Sequence, residues 1–162
     1  MNTRAWFSCI RRSAAAGSNP AMIVVHQVGA TFLMVTVTLW LQAAGIASLL
    51  AWVSQATEGY IQKLGPFRVA ALFVRVTAAI ITLHALEILL WASCYRWLCF
   101  PSWESATYFS ASSYGTVGYG DVVLPKTWRM LGPLESIVGV LMCGFSVSVL
   151  FAIATRLAGR ER

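Results

Sequence analysis

Thr116-Val117-Gly118-Tyr119-Gly120-Asp121 is the stretch on which the reading of this chain turns. It stands between an amphipathic run, Trp103 to Tyr114, and a long apolar run that begins near Leu131. Two glycines spaced by one residue allow left-handed backbone angles at alternating positions, which side-chain-bearing residues adopt only at a steric cost. Val117 and Tyr119 then point away from the line of turned carbonyls and wedge the loop against its surroundings. Taken alone, the hexamer also fits a polar hairpin between helices. Its flanks decide against that.

The chain has 162 residues, of which 58% are hydrophobic and only 11% charged. Soluble chains average about 25% charged residues. The charges are also segregated, with none from Ser13 through Thr57 and none from Ser136 through Thr155. Apolar runs beyond roughly 18 residues read as membrane spans, since about 20 helical residues cross a ~30 Å hydrocarbon core. The composition therefore describes a small all-α integral membrane protein. The net charge of +6 does not indicate nucleic acid, because the twelve basic residues are scattered among tails and loops. Anionic lipid headgroups and the positive-inside bias account for them. Of the four cysteines, Cys143 reads as a small packing residue within an apolar run, Cys9 lies in the N-terminal tail, and Cys94 and Cys99, near one membrane face, read as free thiols with a disulfide there as the alternative. No His/Cys set suggests haem or metal, no nucleophile constellation suggests an enzyme, and no cofactor is expected.

Residues 1–21 form a polar tail with Arg4, Arg11 and Arg12 and a Gly17–Pro20 breaker. The apolar run after it is longer than the ~7–15 residues of a signal-peptide core, so an uncleaved span is expected. Met22 opens that run and is an alternative start. The first span covers 22–56, with Gly45 its one candidate breaker and no arginine or lysine, which excludes a voltage-sensing helix. A linker, 57–65, leads to a second span at 66–98, entered through Gly65-Pro66. Trp91, Tyr95, Trp97 and Trp103 read as an interfacial aromatic belt. After Pro101, residues 103–114 make about three helical turns, too short to cross, with Ser102 as cap and Glu104 at the positive dipole end. The hexamer occupies 116–121, a third span covers 130–157, and 158–162 is a tail.

Outer helix, short helix, Thr-Val-Gly-Tyr-Gly-Asp and inner helix, over residues 66–157, resemble the pore module of the potassium channel superfamily. The order is most similar to the small bacterial two-helix ion channel family, here with an extra N-terminal span. The resemblance implies a homotetramer in a bacterial inner membrane, with four loops around one axis and potassium as the permeant ion. In such a filter, rings of backbone carbonyls and one threonine hydroxyl ring replace the ion's hydration shell. By the same resemblance, Thr116, Val117, Gly118, Tyr119 and Gly120 coordinate potassium, and Asp121 sits at the outer mouth. Gly139 or Gly144 is the implied gating hinge. The Gly-Asp end faces outside, which places the linker 57–65 and the C-terminus in the cytoplasm. Three spans then place the N-terminal tail outside, against its three arginines.

Two positions depart from the family pattern. Gly115 stands where many filters carry a second threonine, which is expected to loosen the last turn of the pore helix. Ser112 stands where some relatives place a glutamate against the filter aspartate, and a neutral hydroxyl is expected to hold Asp121 less tightly. Within the spans, His84, Glu87 and Glu135 need partners, since a charged side chain at mid-bilayer costs ~2.5–3.5 kcal/mol on insertion scales. They read either as a hydrogen-bonded brace between outer and inner helices or as a pH sensor through His84. His26 reads as interfacial. The function expected is passive potassium conduction. The alternatives are a non-selective cation channel and a non-conducting scaffold subunit.

Overall fold

Helix α1 runs unbroken from Pro20 to Thr57, a span of 38 residues and about 57 Å. It is followed by α2 (Pro66–Leu98), the short α3 (Trp103–Tyr114) and α4 (Leu131–Ala158). The computed structural model describes residues 20–57 and 65–158, with no strand among them. The expected polar tail with Cys9, most of the linker and the extreme C-terminus lie outside the described residues, as does the side chain of His26. Three segments, Gln27–Gln55, Phe67–Leu98 and Leu131–Thr155, are long and apolar enough to cross a bilayer. The protein is an all-α, multi-pass membrane protein.

Each helix boundary has a local cause. Pro66 opens α2 where its missing N–H costs nothing, and the Gly65 carbonyl accepts from Arg68 N–H at 3.0 Å. At the other end, the N–H groups of Cys99 and Phe100 both close on the Tyr95 carbonyl at 2.8 Å, just before Pro101 stops the helix. Ser102 caps α3 from an extended conformation, its Oγ accepting from Ser105 N–H at 3.2 Å. Gly45 does not break α1. A Cβ there would meet Leu83 Cδ2 at 2.6 Å, so the glycine lets the two helices approach.

The described chain divides into two compact units. One comprises α1 up to Thr38 together with residues 87–141. Its core gathers Trp91, Tyr95, Phe100, Ala106 and Leu131, with the Tyr95 and Phe109 rings edge to face at 5.0 Å. Trp91 and Tyr95 are therefore core residues and not part of an interfacial belt, because each carries a polar tip with a buried partner. Trp91 Nε1–H donates to Thr38 Oγ1 at 3.1 Å, and the Tyr95 hydroxyl donates to Glu135. Trp97 and Trp103 are exposed as the belt requires. Gln27 of α1 donates to the Thr127 carbonyl in the same unit.

The second unit holds Leu39–Leu86 and the chain from Met142 onward. Leu49, Val76, Ile80 and Ile153 form its core. A buried polar group joins its three helices. The Gln42 amide donates to the Met142 carbonyl at 3.3 Å and to Ser146 Oγ at 3.1 Å, and Ser146 Oγ lies 3.0 Å from His84 Nε2.

Candidate functional site

The Thr116–Asp121 loop is built from the C-terminal end of α3 outward. A helix leaves its last carbonyls unpartnered, and here the loop's own amides take them. Gly115 N–H donates to the Ala111 carbonyl at 3.0 Å, which continues the helix by one bond. Thr116 N–H then donates to the Ser113 carbonyl at 2.9 Å, and those of Val117 and Gly118 to the Ser112 carbonyl at 2.9 and 3.2 Å. Gly115 does not fray the turn as its intrinsic cost suggested. Its φ of −75° is near helical, and its N–H is bonded.

This anchoring fixes the direction of the carbonyls. All peptide bonds described are trans, and in a trans peptide the C=O of one residue points opposite to the N–H of the next. Because the amides of Thr116, Val117 and Gly118 face the end of α3, the carbonyls of Gly115, Thr116 and Val117 face away from it. Left-handed φ angles then recur at every second residue: 58° at Thr116, 56° at Gly118 and 79° at Gly120. The glycines reach them without steric cost. Thr116 does not. It is a β-branched residue in a conformation that ordinarily costs roughly 1–2 kcal/mol, and sequence reasoning had assigned this geometry to the glycines alone. Its N–H bond to the end of α3 holds it there.

Asp121 follows the loop and is exposed. Tyr108, two turns back on α3, donates its hydroxyl to Asp121 Oδ2 at 2.9 Å, and Asp121 Oδ1 accepts from Val122 N–H at 3.0 Å. Ser112, one turn from Tyr108, is not among the groups that bond the aspartate. The Asp121 hydrogen bond holds the Tyr108 phenol above the usual tyrosine range. A cavity of about 740 Å³ opens beside this chain of groups, lined in part by Tyr108, Ser112, Thr116, Asp121, Lys126 and Arg129.

The opposite side of α3 is locked by acids. Ser110 and Tyr114 lie four residues apart, hence on one face, and both are buried. Tyr114 donates to Glu87 Oε2 of α2. Ser110 Oγ lies 2.6 Å from Glu135 Oε1 of α4, and Tyr95 donates to Glu135 Oε2 at 2.8 Å. Both glutamates are fully buried, and hydroxyls of the short helix and of α2 meet both oxygens of Glu135 and Oε2 of Glu87, which offsets part of the cost expected of them. His84 belongs to the other unit and meets Ser146. The brace thus runs through α3, a partner that spacing along the long helices does not reveal.

Gly139 and Gly144 differ in their surroundings. A Cβ on Gly139 would fall 2.3 Å from the Tyr114 carbonyl oxygen, whereas one on Gly144 would meet nothing within 4 Å. Ser136, one turn before Gly139, donates to the Ser113 carbonyl at 2.6 Å. The end of α3 is therefore seated directly on the α4 backbone.

Residues 83–156 match the family model described as ion channel. This segment is similar to an ion channel domain. The matched segment takes in the later part of α2 from Leu83 onward, the short helix, the loop and nearly all of α4; it leaves out α1. No characterised protein and no solved structure matches the chain. Within the matched segment the short α3 is too short to cross a bilayer and is enclosed by α2 and α4 through Ser110, Tyr114 and Ser113. Backbone that does not cross is tolerated at membrane depth only where protein or a water-filled cavity satisfies it. Sequence reasoning gave no role to Tyr108 and Tyr114, read Ser110 as a packing group of the short helix and placed Tyr95 in the aromatic belt, so the bonds of all four were missed. The signal was there for two of them, in the hydroxyl-bearing i, i+4 pair Ser110 and Tyr114 on one face of the short helix.

Proposed function

We propose that this channel conducts potassium selectively and passively through a homotetramer, with Thr116 to Gly120 as the ion-coordinating filter and Asp121 concentrating cations at its outer mouth. The observation that carries the proposal is the common direction of the Gly115, Thr116 and Val117 carbonyls, set by three amides spent on the pore helix. One chain supplies one such ladder, and a ring of oxygens needs several around an axis. The α3 dipole directs its partially negative end toward the same path. Potassium is the transported ion and not a resident cofactor.

By the same reading, the Asp121 end is extracellular and the C-terminus cytoplasmic, in a bacterial inner membrane. Arg68 and Arg75 near the start of α2 fit a cytoplasmic face. Lipid covers much of the apolar surface, such as Phe32, Trp40 and Phe67, all more than 70% exposed in the single chain. Gly144 is the better hinge of the two glycines, having no neighbour to displace. The deciding experiment is flux from purified protein in liposomes under a potassium gradient, with sodium as control. Potassium flux with sodium largely excluded is expected; equal flux of the two ions, or none, overturns the reading.

A further inference from the structure

Glu135 sits at a junction of three oxygen–oxygen contacts that two hydroxyl protons cannot fill. Its Oε2 is 2.8 Å from the Tyr95 hydroxyl, and its Oε1 is 2.6 Å from Ser110 Oγ. Ser110 Oγ is in turn 2.8 Å from the Ile88 carbonyl. Each contact at that distance needs a proton between its oxygens. Tyr95 supplies one and Ser110 one. The Ile88 carbonyl has none to give, so the Ser110 proton lies toward Ile88. The contact between Ser110 and Glu135 then lacks a proton unless the carboxyl group provides it.

We propose that Glu135 is a neutral carboxylic acid whose Oε1–H donates to Ser110 Oγ, making it a positioning residue that holds the pore helix through a directional chain from Tyr95 to Glu135 to Ser110 to the Ile88 carbonyl. In this order every oxygen in the chain is satisfied, and no charge is buried. The arrangement ties α4 to α3 and α3 to α2 at one point. That point lies one turn from Tyr114, where α3 meets the second acid. The titratable groups facing Glu135 are Tyr95 and Cys94 of α2; α3 presents the uncharged Ser110. No cation is among these groups to hold the carboxyl ionised.

A neutral donor–acceptor pair is what a glutamine amide also offers, with Nε2–H toward Ser110 and Oε1 toward Tyr95. Leucine keeps the volume and offers neither. The role assigned to the pore helix rests on the proposed potassium pathway, whereas the protonation state does not, so two readouts are used. Infrared spectra of the purified protein in lipid at pH 7 are expected to contain a carboxylic-acid C=O stretch that is absent from Glu135→Gln. Lack of that band in the native protein, or its persistence undiminished in the variant, overturns the proposal whatever the channel conducts. In liposomes, Glu135→Gln is expected to keep the native potassium-to-sodium permeability ratio within about threefold, while Glu135→Leu lowers it at least about tenfold. A glutamine variant that behaves like the leucine one, or fails to assemble, shows that a charge is required and sinks the idea. A leucine variant with native selectivity sinks it equally.

Discussion

The Tyr108 hydroxyl donates to Asp121 Oδ2 at 2.9 Å, so the residue that closes the Thr116–Asp121 loop is tied back to the middle of the short helix α3 that leads into it. The bond is solvent-exposed, and in the proposed channel it would hold geometry at the mouth of the pathway. Tyr108→Phe is expected to fold and assemble normally but to shorten the open lifetime severalfold in single-channel recordings. An unchanged lifetime would mean that Asp121 is held by other groups.

The same bond carries a pH signature. Asp121 raises the Tyr108 pKa above its ordinary 10.0 by accepting its hydrogen bond, so the neutral phenol is the form favoured in the folded channel. For a group raised in this way, the contribution is complete below the ordinary value and is lost as pH climbs through the higher folded one. Open lifetime should be flat through neutral and mildly alkaline pH and fall only beyond the usual tyrosine range. In Tyr108→Phe that alkaline fall should be missing, which recordings over a pH series would reveal.

Gly139 and Gly144 should separate cleanly on substitution by alanine. At residue 139 the new methyl would fall 2.3 Å from the Tyr114 carbonyl oxygen, a backbone atom that cannot rotate away. Overpacking of this kind costs about 1–3 kcal/mol, and Gly139→Ala is expected to lower the thermal midpoint of the detergent-solubilised assembly. Gly144→Ala meets nothing within 4 Å and should leave that midpoint unchanged while reducing open probability. Equal midpoints for the two variants would contradict the seating of α3 on α4.

Gly118→Ala probes conformation without crowding, because a Cβ there has open space around it in the single chain and the obstacle is a φ of 56°. Left-handed alanine costs roughly 1–2 kcal/mol at each copy. Relaxation of that strain would turn carbonyls off the pathway, and the potassium-to-sodium permeability ratio should fall toward unity in liposome flux. Native selectivity in this variant would break the link between loop geometry and ion choice.

Gln42→Leu tests how α1 is held. The Gln42 amide makes two buried hydrogen bonds, to the Met142 carbonyl and Ser146 Oγ, while its Oε1 has no partner. A typical net hydrogen bond contributes about 0.5–1.5 kcal/mol, and relief of the unpaired oxygen offsets part of the loss. A modest drop in thermal midpoint is expected, smaller than that of Gly139→Ala. A drop as large as the latter's would assign Gln42 a wider role in the fold.

Much of the architecture was legible in the sequence because membrane insertion imposes length and apolarity on each span. The charge-free stretches announced α1 and α4, and Pro101, Ser102 and Glu104 announced the short helix. The backbone of the 116–121 loop was readable in part because Gly118 and Gly120 carry a conformational requirement in their identity. What remained hidden depended on which side chain met which. Glu87 and Glu135 were visible as groups needing partners, but Tyr114, Ser110 and Tyr95 supply them from elements far along the chain. Trp91 and Tyr95 were misplaced at the membrane surface for the same reason: an aromatic with a polar tip looks alike whether that tip meets water or a buried acceptor. The left-handed Thr116 gave no warning, since its conformation is imposed by the Ser113 carbonyl and not by its own preferences.

In the proposed channel the contact of Gly139 with Tyr114 would act as a fulcrum in a lever. If α4 bends there, the Tyr114 carbonyl must travel with it, and the amides strung from Ser112 and Ser113 move too. If it bends farther along, that carbonyl and those amides stay where they are. Where this helix gives way would therefore determine whether opening at one end of the proposed channel is felt at the other.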